Sequence, residues 1–331
     1  MQQLTRELLS PFPARINSNV IDAAELTLQW VIAYELHAEA ALEKYKHEKL
    51  TWMTARFYPT AESDHFFLSD KFNTLLFAMD DSMDHLDTKS DIIQNRETFV
   101  FFINACLRIM KGESAPLKSQ TGFLPALDNL WEELTHISSK QWQENFIRSI
   151  EKMFNAALWS FDNVAMNHVP SIKEFYNMRP FLGAAHISTD LILVVEQFDL
   201  PDEILHHSVM KELIWLCQIT VCLANDIFSY EKESKHLDKH NMVAVIQEEK
   251  GIPVDQAIAA TIKMHNDDVK NFVELVQSRP SFGEHDAEVD RFIMILTAIM
   301  RGNIDWSLLE SGRYDMEGLI ISVTEEVMRE H

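Results

Sequence analysis

Apolar residues recur at spacings of three and four through most of the chain. The pattern is plain in "VIDAAELTLQWVIAYEL" (20–36), "FNTLLFAM" (72–79), "KELIWLCQITVCLANDIF" (211–228) and "RFIMILTAIMRGNIDWSLL" (291–309). A period near 3.6 residues predicts amphipathic helices, and two-residue alternation bounded by turns is nearly absent. Prolines at 59, 116, 170, 180, 201, 253 and 280 punctuate these helices. The segments 111–122 and 278–288 read as loops, too short and too mixed to link domains. The pattern predicts one all-α domain over 1–331, a bundle of about ten helices long enough to enclose a central cavity.

One helix breaks its own pattern. "LLFAMDDSMDH" (75–85) ends an apolar stretch with Asp80, Asp81 and Asp84. Residues four apart share a helical face, so these carboxylates crowd together and repel unless a cation lies between them. A solvated helix end would explain them just as simply. A second row makes that reading harder to hold. In "NDIFSYEKE" (225–233), Asn225, Ser229 and Glu233 fall at i, i+4 and i+8 behind the apolar run "LIWLCQITVCLA". Two rows of oxygen side chains on two buried helices suit Mg²⁺, a hard cation that favours oxygen and often bridges to phosphate.

Composition narrows the choice. Glycine is scarce, 8 of 331 residues, and 47% of residues are apolar, as expected of a compact helical protein. A net charge of −22 argues against nucleic acid and anionic lipid as partners. It also means that an anionic substrate would need local cations. Cys106, Cys217 and Cys222 form no paired motif, which fits a reducing cytoplasm. The first residues lack a secretory pattern, and the longest unbroken apolar runs are too short to span a bilayer, so membrane insertion is not expected. His236 and His240 are four apart but sit in the polar stretch "KHLDKHN", which reads as a solvated loop.

The two oxygen rows, Asp80-Asp81-x-x-Asp84 and Asn225-x-x-x-Ser229-x-x-x-Glu233, resemble the metal motifs of class I terpene synthases of the microbial single-domain type. Other segments in order along the chain agree. Arg179 precedes Asn225 by 46 residues and Gly183 follows it by four, like the family's diphosphate sensor and helix-break effector. Lys232 precedes Glu233, and Arg313-Tyr314 resembles the C-terminal RY pair, with Trp306 before it. "FPARINSNV" (12–20) is similar to the family's N-terminal segment. One departure stands out: Leu182 occupies a position that often carries an acid, so Arg179 lacks that tether.

The resemblance implies the class I terpenoid synthase fold and a cyclase. A linear prenyl diphosphate would be ionised with Mg²⁺, three ions in the family, diphosphate released, and the carbocation cyclised. Asp80, Asp81, Asp84, Asn225, Ser229 and Glu233 would hold the metal. Arg179, Lys232, Arg313 and Tyr314 would bind diphosphate. Arg179, Gly183 and Tyr314 would sense it and close the site, with the 313–314 segment away from the site and mobile beforehand. Phe77, one turn from Asp81, is expected in the cavity wall, with Phe57 and Trp306 as lesser candidates for the same role. Farnesyl diphosphate is the favoured substrate and geranylgeranyl diphosphate the alternative. A chain-elongating prenyl transferase would carry a second aspartate-rich motif where this chain has Asn225 and Ser229, and a helical scaffold would need neither row. The resemblance leaves room for a homodimer.

Overall fold

The computed structural model describes residues 6–83, 92–113, 119–235, 240–314 and 321–326. A short strand β1 (Arg6–Leu9) leads into α1 (Val20–Ala33), α2 (Leu42–Glu48), α3 (Leu50–Phe57), α4 (Ser63–Met83) and α5 (Ile92–Met110). Then come α6 (Phe123–Ile137), α7 (Lys140–Ala165), α8 (Ile172–Leu182), α9 (Ala185–Asp190), α10 (Ile192–Val195) and α11 (Asp202–Leu205). The chain continues with α12 (Ser208–Lys235), α13 (Met242–Lys250), α14 (Val254–Ser278), α15 (Asp286–Leu309) and a last strand, β2 (Ile321–Thr324). The excess over ten helices comes from breaks: α9, α10 and α11 are short pieces that periodicity cannot separate.

Helix α12 is the axis of the molecule. It packs on α14 on one side and on α15 on another, and α15 packs in turn on α3. The approach of α15 to α3 depends on Gly302, where a β-carbon would strike the backbone and Cβ of Arg56. Arg56 is buried and holds the junction, donating to Asp305 at 3.1 Å and to Glu310 at 2.5 and 2.8 Å. The larger apolar core lies among α1, α3, α4, α6, α7 and α15, and the smaller among α8, α12, α13 and α14.

Two features differ from expectation. The ends of the described chain form a parallel two-stranded ribbon, with Arg6 opposite Ile321 and Leu9 opposite Thr324. Four residues per strand are too few for alternation to register. Pro180 lies inside α8 instead of ending it. It sits in the last turn, where its carbonyl meets His186 Nδ1 at 3.0 Å.

Length and composition also need correcting. The segments 208–234 and 283–309 are each long and apolar enough to cross a membrane, because the short apolar runs seen in the sequence lie within long helices. In both, 72% of the most apolar window is buried inside the fold.

Candidate active site

Helices α3, α4, α7, α8, α12 and α15 surround a cavity of about 270 Å³. One helix supplies both polar and apolar wall. On α4, Asp80, Phe77 and Asn73 all line the cavity, and Asn73 lies two turns, roughly 10 Å, from Asp80 along the axis. On α12 the order is mirrored: Val221 and Cys222 come one turn before Asn225, which is followed by Ser229, Lys232 and Glu233, all on the wall. Asp80 and the second row therefore share one cavity. The side chain of Asp81 and the whole of Asp84 lie outside the described residues. Among the described residues no three His, Cys, Asp or Glu side chains converge. The second row contributes an amide and a hydroxyl, and two of the three aspartates are not described.

The donor set fits a hard divalent cation. Asn225 offers an amide oxygen, Ser229 a hydroxyl and Glu233 a carboxylate, and two residues absent from the expected set orient them. Asn241, fully buried, caps α13 by accepting from Val243 N. Its amide nitrogen donates to Glu233 Oε2 at 2.8 Å, to the Asp226 carbonyl at 2.8 Å and to Ser229 Oγ at 3.5 Å. Asp226, also fully buried, accepts from Met242 N at 2.9 Å with Oδ2. Asn241 thus caps α13 and fixes the row with one side chain.

Arg179 is not left loose by Leu182. Its Nε donates to Asp226 Oδ1 at 2.8 Å, and its Nη2 lies 2.7 Å from the same oxygen and 3.1 Å from Asn225 Oδ1. Burial pushes the guanidinium pKa down, but the Asp226 carboxylate outweighs it and holds the group above its ordinary value. The missing tether is replaced from α12. Gly183 ends α8, and Ala184 takes a left-handed φ of 54° before α9 begins. A β-carbon at 183 would collide with the Arg179 guanidinium and crowd Cys222 Sγ. Burial pushes the Cys222 thiol up to about 12, so it stays protonated there.

The 313–314 pair is docked on the site, contrary to the expected open arrangement. The reason is packing: the Tyr314 ring stacks on Phe228 and meets Trp306 edge-on, with centroids 6.2 and 5.8 Å away. Its hydroxyl accepts from Asn225 Nδ2 at 2.8 Å, and burial raises its pKa. Arg313 donates to Asp80 Oδ2 and to the buried Glu48 Oε1, each at 3.2 Å, and lies 5.0 Å over the Phe77 ring. Glu48 was invisible as a site residue, because an acid in "LEKYKHE" reads as a solvated helix face.

Phe77 is half-buried, lines the cavity and also packs on Trp306 at 6.2 Å. Phe57 and Trp306 line it from α3 and α15, and the Trp306 indole donates to the Lys49 carbonyl at 2.9 Å. His236 lies outside the described residues. His240 is buried on Trp159 and Phe175 and lines the cavity, so it is no solvated loop residue.

Two carboxylate- and amide-bearing helices, a buried arginine and an aromatic wall around one cavity define a class of enzyme, and comparison with known proteins agrees. A sequence profile described as terpene synthase family 2, C-terminal metal binding, matches residues 71–271, more than half of the chain. The chain belongs to this family, whose C-terminal part is a metal-binding domain, and is a terpene synthase, a carbon–oxygen lyase of prenyl diphosphates. It is 29% identical over 316 residues to a germacrene A synthase of Nostoc punctiforme, covering 95% of this chain and 96% of that protein. It is 27% identical over 308 residues to a (+)-T-muurolol synthase of Roseiflexus castenholzii, covering 93% of each. The structure of an a-eudesmol synthase superposes with a TM-score of 0.79 at 22% identity, over 90% of this chain and 97% of that one. Germacradien-4-ol synthase from Streptomyces citricolor gives 0.78 at 18%, over 93% and 99%. These likenesses fix the fold as that of class I terpenoid synthases.

Proposed function

We propose that the chain is a sesquiterpene cyclase that ionises farnesyl diphosphate with three Mg²⁺ ions and cyclises the carbocation. The observation that carries this reading is that Asp80 and the Asn225, Ser229 and Glu233 row line one cavity together with Arg179, Lys232 and Arg313. Asp80, Asp81 and Asp84 would hold metal from α4, and Asn225, Ser229 and Glu233 from α12. Bound there, the metal neutralises charge developing on the leaving diphosphate. Arg179 and Arg313 offer planar forks for phosphate oxygens, Lys232 a point charge, and Tyr314 a hydroxyl. Both arginines are already paired with acids, so a diphosphate would compete for them with Asp226, Glu48 and Asp80. Phe77, Phe57, Trp306 and Leu76 then present apolar wall that excludes water and faces the cation with aromatic rings.

The relatives support the C15 substrate. The name of the Roseiflexus protein itself specifies (2E,6E)-farnesyl diphosphate cyclisation. Geranylgeranyl diphosphate is not favoured. The test is to incubate purified protein with Mg²⁺ and each diphosphate in turn, and to read hydrocarbon products by gas chromatography and diphosphate release by a coupled assay. A cyclic C15 product from farnesyl diphosphate is expected. Release of no diphosphate, or formation of longer prenyl diphosphates when isopentenyl diphosphate is added, would overturn the reading.

A further inference from the structure

The break between α8 and α9 leaves one carbonyl without its helical donor. Gly183 N donates to the Arg179 carbonyl at 2.9 Å, as a helix requires, but Ala184 N turns to the Phe181 carbonyl at 3.2 Å and passes over Pro180. An orphaned carbonyl inside a fold is costly and needs another partner. That partner is His186, three residues past Gly183 on α9 and buried, with its Nδ1 3.0 Å from the Pro180 oxygen. The second ring nitrogen is engaged as well: Nε2 lies 3.0 Å from the Ser149 carbonyl of α7. The Phe181 ring meets the imidazole edge-on, with centroids 5.0 Å apart.

A carbonyl oxygen can only accept. Two carbonyls facing two ring nitrogens therefore ask for a proton on each, whereas a neutral imidazole carries one. With a single proton, a nitrogen lone pair would face a carbonyl oxygen at 3.0 Å. Held at both ends, the ring ties three helices together: α7 through Ser149, α8 through Pro180 and α9 through its own backbone. Asp190 stands one turn further along α9; burial pushes its pKa up, and charge on His186 pulls it back.

What the tie secures is the seat of Arg179. Pro180 is its chain neighbour, and its guanidinium is gripped by Asp226 and Asn225 on α12. The backbone at Gly183 approaches the same guanidinium so closely that a β-carbon there would collide with it. Arg179 thus sits between α12 and the break, and a swing of α9 away from α8 would move the backbone it rests on. We propose that His186 donates from both ring nitrogens, and that this double clamp on the Pro180 and Ser149 carbonyls positions Arg179 for the diphosphate. His186 is not part of the cavity wall. It is a positioning residue, acting through Pro180 and Gly183. The inference rests on the proposed role of Arg179 in binding diphosphate, and deepens it by naming what holds that arm in place.

Two measurements test this. The first uses the unaltered, isotope-labelled protein at neutral pH, with the His186 ring identified by nuclear Overhauser contacts to Phe181. Proton–nitrogen correlation spectra should show both ring nitrogens protonated. One bare nitrogen would overturn the double clamp, and this reading needs no variant to fold. The second is calorimetric binding of inorganic diphosphate in the presence of Mg²⁺. His186→Gln offers its N–H groups from a single atom and cannot span both carbonyls. It should weaken diphosphate binding by about tenfold, since a small misplacement of a binding group is costly. Arg179→Lys should weaken binding too, and adding His186→Gln to it should cost no more than about twofold further, because the group to be positioned is already gone. A lower melting temperature with unchanged diphosphate affinity would make His186 merely structural. An equal loss in both backgrounds would show that it acts without Arg179. Either result overturns the inference. If the unaltered protein binds no diphosphate, the diphosphate role of Arg179 falls and the inference with it, while the spectroscopic result on the ring still stands by itself.

Discussion

Single side chains differ in how far their roles could be read in advance. Asp80, Asn225, Ser229 and Glu233 were legible because a helix converts spacing into a shared face. Asp226 and Asn241 were not, although they orient that row, because their partners come from backbone groups and from a loop that sequence cannot fold. Asn241→Ala removes the donor to Glu233 and the cap of α13. Its stability cost should be about 1 kcal/mol, as for other caps, while the Mg²⁺ concentration for half-maximal turnover rises roughly tenfold. A Mg²⁺ titration of diphosphate release beside a denaturation curve separates the two effects. His265 gives a pH signature. Burial holds its pKa down at about 4, whereas an exposed histidine titrates at 6.5. Between those values the unfolded chain binds a proton that the folded one does not, so stability falls as pH drops below 6.5 and levels off below about 4. The contribution is roughly 3 kcal/mol. Asp70 and Asp268, both raised to about 6 by burial, act in the opposite sense in the window from 3.8 to 6. The isolating measurement is therefore the difference in unfolding free energy between the native protein and His265→Gln across pH 4–7. That difference should shrink on acidification.

Among elements, long amphipathic helices were legible and breaks were not. The 3.6-residue period identifies α4, α12 and α15, because each buries one continuous stripe. It does not show that Pro180 is absorbed in a last turn, nor that Ala184 turns left-handed to start α9. The break matters because Gly183 brings the backbone against Arg179. Gly183→Ala would drive a methyl group into the guanidinium and prise it from Asp226 and Asn225. Turnover should fall by about tenfold or more, since misplacing a substrate-binding group by an ångström is costly. The far-ultraviolet circular dichroism should stay unchanged, because a negative φ at 183 suits alanine. Strands β1 and β2 escaped notice for another reason. Their pairing joins the two ends of the chain, and no local pattern encodes a partner some three hundred residues away.

For the whole molecule, the decisive quantity is the charge of −22. An anionic substrate approaches against that field and meets Arg179, Lys232 and Arg313 in the cavity wall. Salt screens the long-range repulsion more than the short buried pairs. At saturating Mg²⁺, kcat/KM should thus rise as ionic strength increases from about 10 to 150 mM, the reverse of an electrostatically steered enzyme. Steady-state rates at fixed free Mg²⁺ would check this. Fold class, and a cavity that Asp80 shares with the second oxygen row, could be foreseen from pattern and spacing. That Arg179 and Arg313 are already paired with Asp226, Glu48 and Asp80 could not, because each pair joins residues distant in sequence.

The ribbon between β1 and β2 also orders events in time. Closing a loop that spans nearly the whole chain costs more entropy than any helix–helix contact, so it forms late, once the bundle has brought its ends together. Asn266 prepares the seat, accepting from Leu9 N at 2.8 Å and donating to the Glu7 carbonyl at 2.9 Å. Tyr314 and Arg313 lie just ahead of β2 and reach Asn225 and Asp80 from there. During synthesis, the helices that carry both oxygen rows emerge from the ribosome before the segment that covers them. The nascent chain therefore passes through a stage in which the bundle can be built while its reaction chamber still lacks the cover that Arg313 and Tyr314 supply.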